Sequence, residues 1–285
     1  MAKRRRRRRS HRLLNFLLIL ALCAGFFWWS NHSLQVERFT YRSPRLPAGF
    51  DGCVVVQLSD LHGAVFGEDN RELAGQVREL EPDYIFLTGD LLDRWRRTPH
   101  SYAVELGRAL AEIAPTYFVT GNHEWALPDV PGLKRKLEAA GGTVLSNEWT
   151  LLERGGDSLV LAGIDDPNGY ADQKTPEELA AEVGGAFGEP FWLLLAHRNN
   201  CFEDQYSHLG ADLVISGHGH GGMIRLPFTD GLISVERTLF PSYTACFYEA
   251  NGGKLFVSRG LGNPGPSFRL FNRPQVVALT MERGG

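Results

Sequence analysis

From residue 52 onward, the chain alternates short apolar runs with stretches of helical pattern. The runs have the length of strands, are rich in β-branched and aromatic residues, and most end in polar residues. They read CVVVQLSD, DYIFLTGD, TYFVTGNHE, SLVLAGIDD, FWLLLAH, ADLVISGHGH and KLFVSRG. Helical stretches, such as residues 70–80 and 100–113, separate the early runs. This order predicts an α/β fold, and runs that are apolar throughout predict strands covered on both faces.

A longer apolar segment, residues 13–29, precedes this region. A helix of this length reaches about 26 Å, which is the short end of what crosses a hydrocarbon core. We interpret it as an uncleaved transmembrane signal-anchor with Trp28 and Trp29 at the membrane interface. A cleaved secretory signal peptide is the alternative, because it has the same basic-then-apolar order. Residues 30–50 contain two prolines and no long periodic pattern, which predicts a tether with at most one strand.

Charge is distributed unevenly along the chain. Eight of the 30 basic residues lie within residues 1–12, which hold no acidic residue, so the remainder carries 22 basic against 33 acidic residues. The positive-inside rule predicts that the basic segment stays in the cytoplasm and that the globular domain, residues 51–285, lies outside it. So acidic a domain lacks the positive surface that a nucleic-acid backbone requires, and no nucleic-acid partner is expected. The composition suits a protein that binds cations.

Polar side chains stand at or just beyond the carboxyl ends of five predicted strands. They are Asp60, Asp90, Asn122, His197 and His218. Ligands of open α/β sheets bind in the crevice outside those ends, so five segments bring metal-type side chains to one rim. Each residue alone has a structural interpretation, as a turn residue, a helix N-cap or a hydrogen-bonded buried histidine. Their ordered combination predicts a metal site.

The glycine-rich stretch GHGHGG, residues 217–222, has two interpretations. It fits the G-x-G-x-x-G turn that binds dinucleotides, and it also offers His218 and His220 to a metal. The dinucleotide turn requires a helix to begin at the last glycine, and Pro227 would break that helix in its second turn. We therefore adopt the metal interpretation.

Five motifs follow one another in order: DLH at Asp60, GDLLDR at Asp90, GNHE at Asn122, an isolated histidine at His197 and GHGH at His218. This order resembles the calcineurin-like metallophosphoesterase superfamily over roughly residues 54–227. The tail LFVSRGLGN is similar to that of a bacterial membrane-associated branch, which includes phosphodiesterases and UDP-2,3-diacylglucosamine pyrophosphatases. The resemblance implies a four-layer α/β/β/α sandwich of two mixed sheets, preceded here by the transmembrane helix.

The resemblance also implies two divalent metal ions with seven protein ligands. Asp60, His62 and His220 would hold the first ion, Asn122, His197 and His218 the second, and Asp90 would bridge them. Mixed oxygen and imidazole ligands suit manganese, iron or zinc. Two such ions about 3.5–4 Å apart can hold a bridging hydroxide and neutralise the charge that develops on a phosphoryl group.

Three further residues receive roles from the same resemblance, and two arginines receive a role from the affinity of guanidinium groups for phosphate. His123 would face the substrate, as the general acid for the leaving group or as a partner of the phosphoryl oxygens. Asp93 and Glu124 would orient imidazoles. Arg94 and Arg198 would contact the substrate phosphate, although a run of arginines at Arg94 also fits a solvated surface.

The leading hypothesis is a membrane-anchored phosphodiesterase in which the metal-bridging hydroxide attacks phosphorus. Its substrate would be a phosphoester, with lipid-linked substrates included. The alternatives are a UDP-2,3-diacylglucosamine-type lipid pyrophosphatase and a catalytically silent metal-binding membrane scaffold. Phe268 and Phe271 are expected to pack in the core or a loop rather than to hold lipid. Natural substrate, physiological metal and oligomeric state stay open, as does the effect of Met223 and of Arg198 with Asn199, where the chain departs from the branch pattern.

Overall fold

The computed structural model describes residues 2–226, 229–235 and 237–284. Two six-stranded sheets form its centre. The first sheet contains, in spatial order, β1 (Gln35–Ser43), β14 (Gln275–Arg283), β2 (Cys53–Leu58), β3 (Tyr84–Thr88), β4 (Thr116–Val119) and β5 (Thr143–Val144). Strand β14 runs antiparallel to β2, while β1 is parallel to β14 and strands β2 to β5 are parallel to one another. The sheet is therefore mixed, as predicted.

The second sheet is mixed as well. It contains, in spatial order, β12 (Cys246–Ala250), β13 (Gly253–Val257), β9 (Leu213–Gly217), β8 (Trp192–Arg198), β7 (Asp157–Gly163) and β6 (Glu148–Arg154). Its four central strands are parallel, and both edge strands are antiparallel to their neighbours. A separate two-stranded ribbon consists of β10 (Ile224–Arg225) and β11 (Gly231–Ile233). All seven strands predicted from the apolar runs are confirmed.

Helices cover the outer face of each sheet. The α-helices of the described residues are α1 (Ala2–His32), α2 (Arg71–Glu79), α3 (His100–Ala111), α4 (Asn122–Trp125), α5 (Val130–Ala139) and α6 (Pro176–Phe187). Helices α2, α3 and α5 pack on the first sheet, and α6 packs on the second. The two sheets share a third apolar layer between them. The predicted four-layer α/β/β/α sandwich is confirmed.

Strand β3 shows why these runs are apolar throughout. Ile85 and Leu87 point to the layer under the helices, whereas Tyr84 and Phe86 point to the layer between the sheets. Side chains alternate between the two faces of a strand, and here both faces are covered, so no position favours a polar residue. The first polar side chains therefore appear where the strand ends, at the rim of the sheet.

The segment that joins α1 to the sandwich is ordered. Within the described part of the chain, one stretch, His11–His32, is helical, long and apolar enough to cross a membrane, by length and composition. Only two residues separate α1 from β1, and all nine residues of β1 pair in parallel with β14. The region 30–50, predicted to be a tether with at most one strand, thus supplies an edge strand of the first sheet. The folded part of the chain begins before residue 51, because β14 offers β1 a partner along its whole length.

Candidate active site

The loops after β2, β3 and β9, together with the end of β8, bring six of the predicted ligands into two groups. The first ligand group is Asp60, His62 and His220, and the second ligand group is Asp90, His197 and His218. Within each group the donor atoms lie within 4.8 Å of one another. All but His218 are buried. Members of both groups line one cleft of about 870 Å³, together with Asn122 and His123.

In the first ligand group, three donor atoms converge. His62 Nε2 lies 3.1 Å from His220 Nε2, which lies 3.3 Å from Asp60 Oδ1. The carboxylate of Asp60 also accepts the backbone N–H of His218 at 3.1 Å, which ties the loop after β2 to the loop after β9. Two imidazole nitrogens and a carboxylate oxygen aimed at one another form a donor set of the kind that binds a divalent metal.

The second ligand group converges in the same way. His197 Nε2 lies 3.2 Å from Asp90 Oδ2 and 3.2 Å from His218 Nδ1. The other ring nitrogen of His197 donates to the carbonyl of Thr88 at 2.8 Å, which fixes the ring orientation and directs Nε2 toward Asp90. Asp90 Oδ2 also lies 3.7 Å from His62 Nε2. Asp90 therefore stands between the two ligand groups, where a bridging ligand would be.

Two buried polar atoms in this centre have no hydrogen-bond partner among the described residues. They are Asn122 Oδ1 and His62 Nδ1. Such atoms are rare in native structures, and a bound ion is one of their explanations. The amide oxygen of Asn122 borders the cleft beside the second ligand group. The residues present therefore fit a pair of divalent cations.

Five of the seven predicted ligands have positive φ angles, a conformation that residues other than glycine seldom adopt. The angles are 54° at Asp60, 49° at His62, 53° at Asp90, 66° at His218 and 48° at His220. Backbone of this kind costs about 1–3 kcal/mol per residue and clusters at functional sites. Neighbouring loops hold it in place: the N–H of Asp60 donates to the carbonyl of Gly89 at 3.0 Å, and that of His62 to Asp90 at 2.9 Å.

Glycines permit these loops to approach one another. A Cβ atom on Gly121 would overlap Asp90 Oδ1, and one on Gly217 would overlap the side chains of Ser59 and Asp60. Glycine is therefore required on steric grounds at both positions, since a larger residue would displace a ligand carboxylate.

The sequence profile of the calcineurin-like phosphoesterase family matches residues 54–222, more than half of the chain. The chain belongs to this family. It is a metal-dependent phosphoester hydrolase, and the family generally uses two divalent metals, for which the two ligand groups provide the donors.

Three relatives illustrate the match. An uncharacterised metallophosphoesterase of Aquifex aeolicus (strain VF5) is 31% identical over 262 residues, which is 88% of this chain and 93% of the relative. The phosphodiesterase YaeI of Escherichia coli (strain K12) is 29% identical and covers 71% of this chain and 72% of its own. A transmembrane protein with a metallophosphoesterase domain from Danio rerio is 28% identical and covers 84% of this chain and 55% of its own.

The phosphoesterase keeps the imidazoles of its first ligand group neutral. Burial lowers the pKa of His62 to about 3 and outweighs the opposing effect of Asp90, while His123 adds to the lowering. Burial, followed by His62 and Arg269, holds the pKa of His220 well below its usual range. Neutral imidazoles are the form that binds metal.

The second ligand group is charged instead. Burial opposes ionisation of Asp90, but His197 and His62 outweigh it and hold the pKa of Asp90 well below its usual range. Burial likewise opposes protonation of His197, yet Asp90 and Asp60 outweigh it and raise the pKa of His197 to about 10. Without metal, an imidazolium at His197 therefore pairs with an ionised Asp90.

His123 lines the cleft next to the first ligand group. Its Nδ1 accepts the backbone N–H of Arg94 at 3.2 Å, and Asp93 Oδ1 lies 3.5 Å from the same nitrogen. The amide occupies the lone pair of Nδ1 and thereby places the proton of the neutral ring on Nε2. Asp93 accepts backbone N–H groups from Trp95 at 2.7 Å and Gly265 at 2.8 Å. Although His62, Asp93 and His123 also cluster within 4.8 Å, these amide contacts favour a positioning role for Asp93 over metal ligation.

Glu124 stabilises the backbone around the second ligand group. Its carboxylate accepts backbone N–H groups from Asp90 at 2.8 Å, Leu92 at 2.9 Å and Gly121 at 2.8 Å. These bonds fasten the loop after β3 to the loop after β4; the orientation of an imidazole by Glu124 stays a prediction. Burial, with Asp90 as the next cause, raises the pKa of Glu124 to about 7.

Both predicted substrate-binding arginines line the cleft. The guanidinium of Arg94 lies over the ring of Trp95, 4.6 Å from its centroid. Arg198 forms a bidentate ion pair with Asp166, with N–O distances of 2.7 and 3.1 Å. Asp166 thereby neutralises part of the charge of Arg198 before any phosphate binds. Of the two arginines, Arg94 therefore keeps more of its positive charge for a phosphate.

Sequence reasoning missed two residues that hold His220. Arg269 is fully buried, and its Nη2 lies 3.2 Å from His220 Nδ1, while other guanidinium N–H groups donate to the carbonyls of Arg259 and Gly262. Burial lowers the pKa of Arg269 to about 9. Asn272 donates from Nδ2 to the carbonyl of His220 at 2.7 Å. Both residues lie beyond the five motifs, and no spacing in the sequence marks them.

Proposed function

We propose that this phosphoesterase is a membrane-anchored phosphodiesterase that uses two divalent cations, with manganese, iron or zinc as the metals. The carrying observation is that two ligand groups meet at Asp90 and line one cleft with His123. Mixed carboxylate, amide and imidazole donors favour these metals over calcium or magnesium. A diester substrate is supported by the similarity to the Escherichia coli phosphodiesterase.

The chain's own residues supply the remaining chemistry. The first ligand group would hold one cation and the second ligand group with Asn122 the other; when bound, such a pair activates water and neutralises phosphoryl charge. In its cationic form, His123 would donate the proton on Nε2 to the leaving oxygen as the bond from phosphorus to that oxygen breaks, and the ring would become neutral. Asp93 Oδ1, 3.5 Å from Nδ1, would accept the proton that stays on that nitrogen. Arg94 would bind a non-bridging phosphoryl oxygen.

Membrane anchoring by α1 is part of this proposal. The stretch His11–His32 has the length and composition of a span, and the relative from Danio rerio carries a transmembrane protein's name. The basic residues before the span support a cytoplasmic N-terminus and a catalytic domain outside the cytoplasm. Protease added to intact cells should digest the catalytic domain, whereas its protection until lysis would contradict this orientation.

The enzymatic proposal is tested with the full chain in detergent, stripped of metal and reloaded with manganese. The substrate is a soluble bis(nitrophenyl) phosphodiester. Asp90→Asn should reduce turnover by about 10³-fold or more, equivalent to about 4 kcal/mol, because the shared ligand is lost. The exposed Asp172→Asn is the matched control and should keep wild-type turnover. Equal turnover in wild type and Asp90→Asn would overturn the proposal.

A further inference from the structure

Helix α1 is fixed to the catalytic domain at the edge of the cleft. Asn31 Oδ1 accepts the backbone N–H of Arg269 at 2.7 Å and the side-chain N–H of Asn263 at 3.0 Å, and Asn31 Nδ2 donates to the Arg269 carbonyl at 2.9 Å. The loop held in this way, residues 263–271, also lines the cleft through Phe268. The same loop carries the guanidinium that contacts His220. The end of the proposed span and the wall of the active site therefore form one unit.

Ring contacts set the depth of this loop relative to the span. Phe26 packs on Phe271 with ring centroids 5.0 Å apart, and Phe27 packs on Phe268 at 5.4 Å. Phe26 and Phe27 belong to the apolar run 13–29. Side chains that pack beside them lie at the same depth in a bilayer. Phe268 and Phe271 do pack in a loop, as expected, yet about half of each side chain stays exposed, so neither is a core residue.

Further exposed apolar side chains lie at the cleft or next to residues that line it. Trp95 lines the cleft, and Leu239, which Phe240 follows in the chain, forms a β-bridge with the cleft residue Ile233. We call this set the apolar collar: Trp95, Leu239, Phe240, Phe268 and Phe271, which are 46–75% exposed. An exposed apolar patch of this kind marks an interaction site with a protein, a ligand or a membrane.

Cationic side chains accompany the aromatic ones on this side of the molecule. Arg94 lies 4.6 Å from the centroid of the Trp95 ring, and Arg273 lies 4.6 Å from that of Trp29. Arginine paired with tryptophan is typical of the membrane–water interface, where the ring sits among headgroups and the guanidinium binds phosphate. The chain beyond its first twelve residues is acidic, with 33 acidic against 22 basic residues. The apolar collar and the arginines beside its rings, on an otherwise acidic domain, favour a bilayer with phosphate headgroups as the occupant.

We propose that the apolar collar docks into the bilayer surface and that the cleft takes the headgroup of a membrane lipid phosphoester, whose apolar chains stay in the bilayer. This inference rests on the proposed anchoring and hydrolysis. In the reaction, water adds to phosphorus and releases one proton, and the bond from phosphorus to the departing alcohol breaks. Cationic His123 passes a proton to that alcohol's oxygen, and the proton released by water restores the cation. A soluble nucleotide or a second protein copy would leave the collar in water or against protein instead.

Docking is tested without any measurement of activity. The full chain is reconstituted in vesicles of phosphatidylcholine and phosphatidylglycerol, with the photo-crosslinking residue p-benzoylphenylalanine in place of Phe240 or of Phe271. Leu151, an exposed apolar residue on edge strand β6, is the control position. Lipid adducts at both collar positions and none at Leu151 are the expected result. Adducts at neither collar position, or crosslinks between two protein chains in their place, would overturn the docking.

The substrate class is tested by presenting one phosphodiester in two forms, phosphatidylglycerol in vesicles and its deacylated, water-soluble headgroup. We expect the vesicle form to be hydrolysed at least tenfold faster at equal concentration. The double variant Leu239→Ser/Phe240→Ser should lower the ratio of the two rates about tenfold, whereas Leu151→Ser should not change it. Equal rates for the two forms, or cleavage of the nitrophenyl diester but of neither form, would overturn the lipid substrate. A wild type that cleaves no diester at all would defeat the proposed function, and the crosslinks would still decide the docking.

Discussion

The two halves of the metal centre are built from the same residue types but hold protons differently. Each half has one carboxylate and two imidazoles within 4.8 Å. In the first ligand group the pKa of His62 is lowered to about 3, so both imidazoles are neutral before metal arrives. In the second ligand group the pKa of His197 is raised to about 10, so this ring is an imidazolium before metal binds. Ligand identity alone therefore does not determine how a site meets its cation.

Burial opposes protonation of the imidazoles in both groups, so the difference comes from the groups that surround each ring. His220 faces the guanidinium of Arg269, and His62 has the ring of His123 at 4.4 Å, so further positive charge is unfavourable there. His197 instead lies against Asp90 and donates its other ring proton to the carbonyl of Thr88. Acceptors on both sides stabilise the cationic ring. The imidazoles of the first ligand group are neutral before metal binds, whereas His197 of the second ligand group holds a proton that metal must displace.

The comparison is broken most severely by removing one ligand from each half. His62→Ala and His197→Ala should each lower turnover of the nitrophenyl diester by about 10³-fold or more, which is about 4 kcal/mol. Each variant should retain about one metal per chain instead of two, because the other ligand group is intact. Elemental analysis after gel filtration measures the metal content, and His208→Ala, outside the centre, is the control. Two metals retained in either variant would show that the two groups are not separate sites.

A second prediction separates proton donation from metal binding. His123→Gln should lower turnover by about 10²–10⁴-fold, the usual contribution of a general acid, with two metals still bound. An activated leaving group needs no proton, so the loss should be much smaller for a dinitrophenyl ester than for an alkyl ester. The ratio of the two rates is the measurement. An equal loss for both esters would contradict proton donation by His123. Loss of a metal would assign His123 to the first ligand group.

Much of the fold could be predicted because it follows from local pattern. The segment from Tyr84 to Thr88 was predicted to be a strand covered on both faces, because its first four side chains are largely apolar and its one hydroxyl side chain of threonine stands at the carboxyl end. The ligand-bearing positions were predictable for a related reason: parallel strands end at one edge, so polar residues after several of them share a location. Asp60, Asp90 and His218 come from segments far apart in the sequence and meet as that rule requires.

What could not be predicted depends on contacts between distant segments. The role of Arg269 arises from its burial against His220, and nothing in the tail indicates which arginine reaches the site. The bond from Asn31 to that same loop gave no sequence signal, because α1 alone reads as a membrane span. Proton positions were also beyond reach, since the pKa of His197 reflects distances of about 3 Å that only the folded chain sets. Local pattern specifies elements; the charge balance belongs to the packed molecule.

A third prediction concerns the carboxylate that holds the second half together. The pKa of Glu124 is raised from 4.5 to about 7, so the folded state binds its proton more tightly than the unfolded state. The stability that comes from this protonation is complete below pH 4.5 and is lost as pH rises through 7, a loss of about 3 kcal/mol. In metal-free protein, Glu124→Gln should remove this part of the pH dependence. Its unfolding free energy relative to wild type should improve by about that amount between pH 5 and 8. The unfolding free energy of the exposed control Glu112→Gln should vary with pH in parallel with that of wild type. A parallel curve for Glu124→Gln would contradict this prediction.

The smallest expected effect tests the comparison directly. Metal entering the second ligand group near neutral pH must displace the proton of His197, whose folded pKa is about 10. Affinity there should therefore rise about tenfold per pH unit between pH 7 and 9, with one proton released per metal. The first ligand group has no imidazolium to deprotonate, so its affinity should rise far less. His62→Ala and His197→Ala isolate the two sites, and calorimetry in buffers of different ionisation enthalpy counts the protons. Equal slopes in the two variants would contradict the proposed difference in protonation between the two ligand groups.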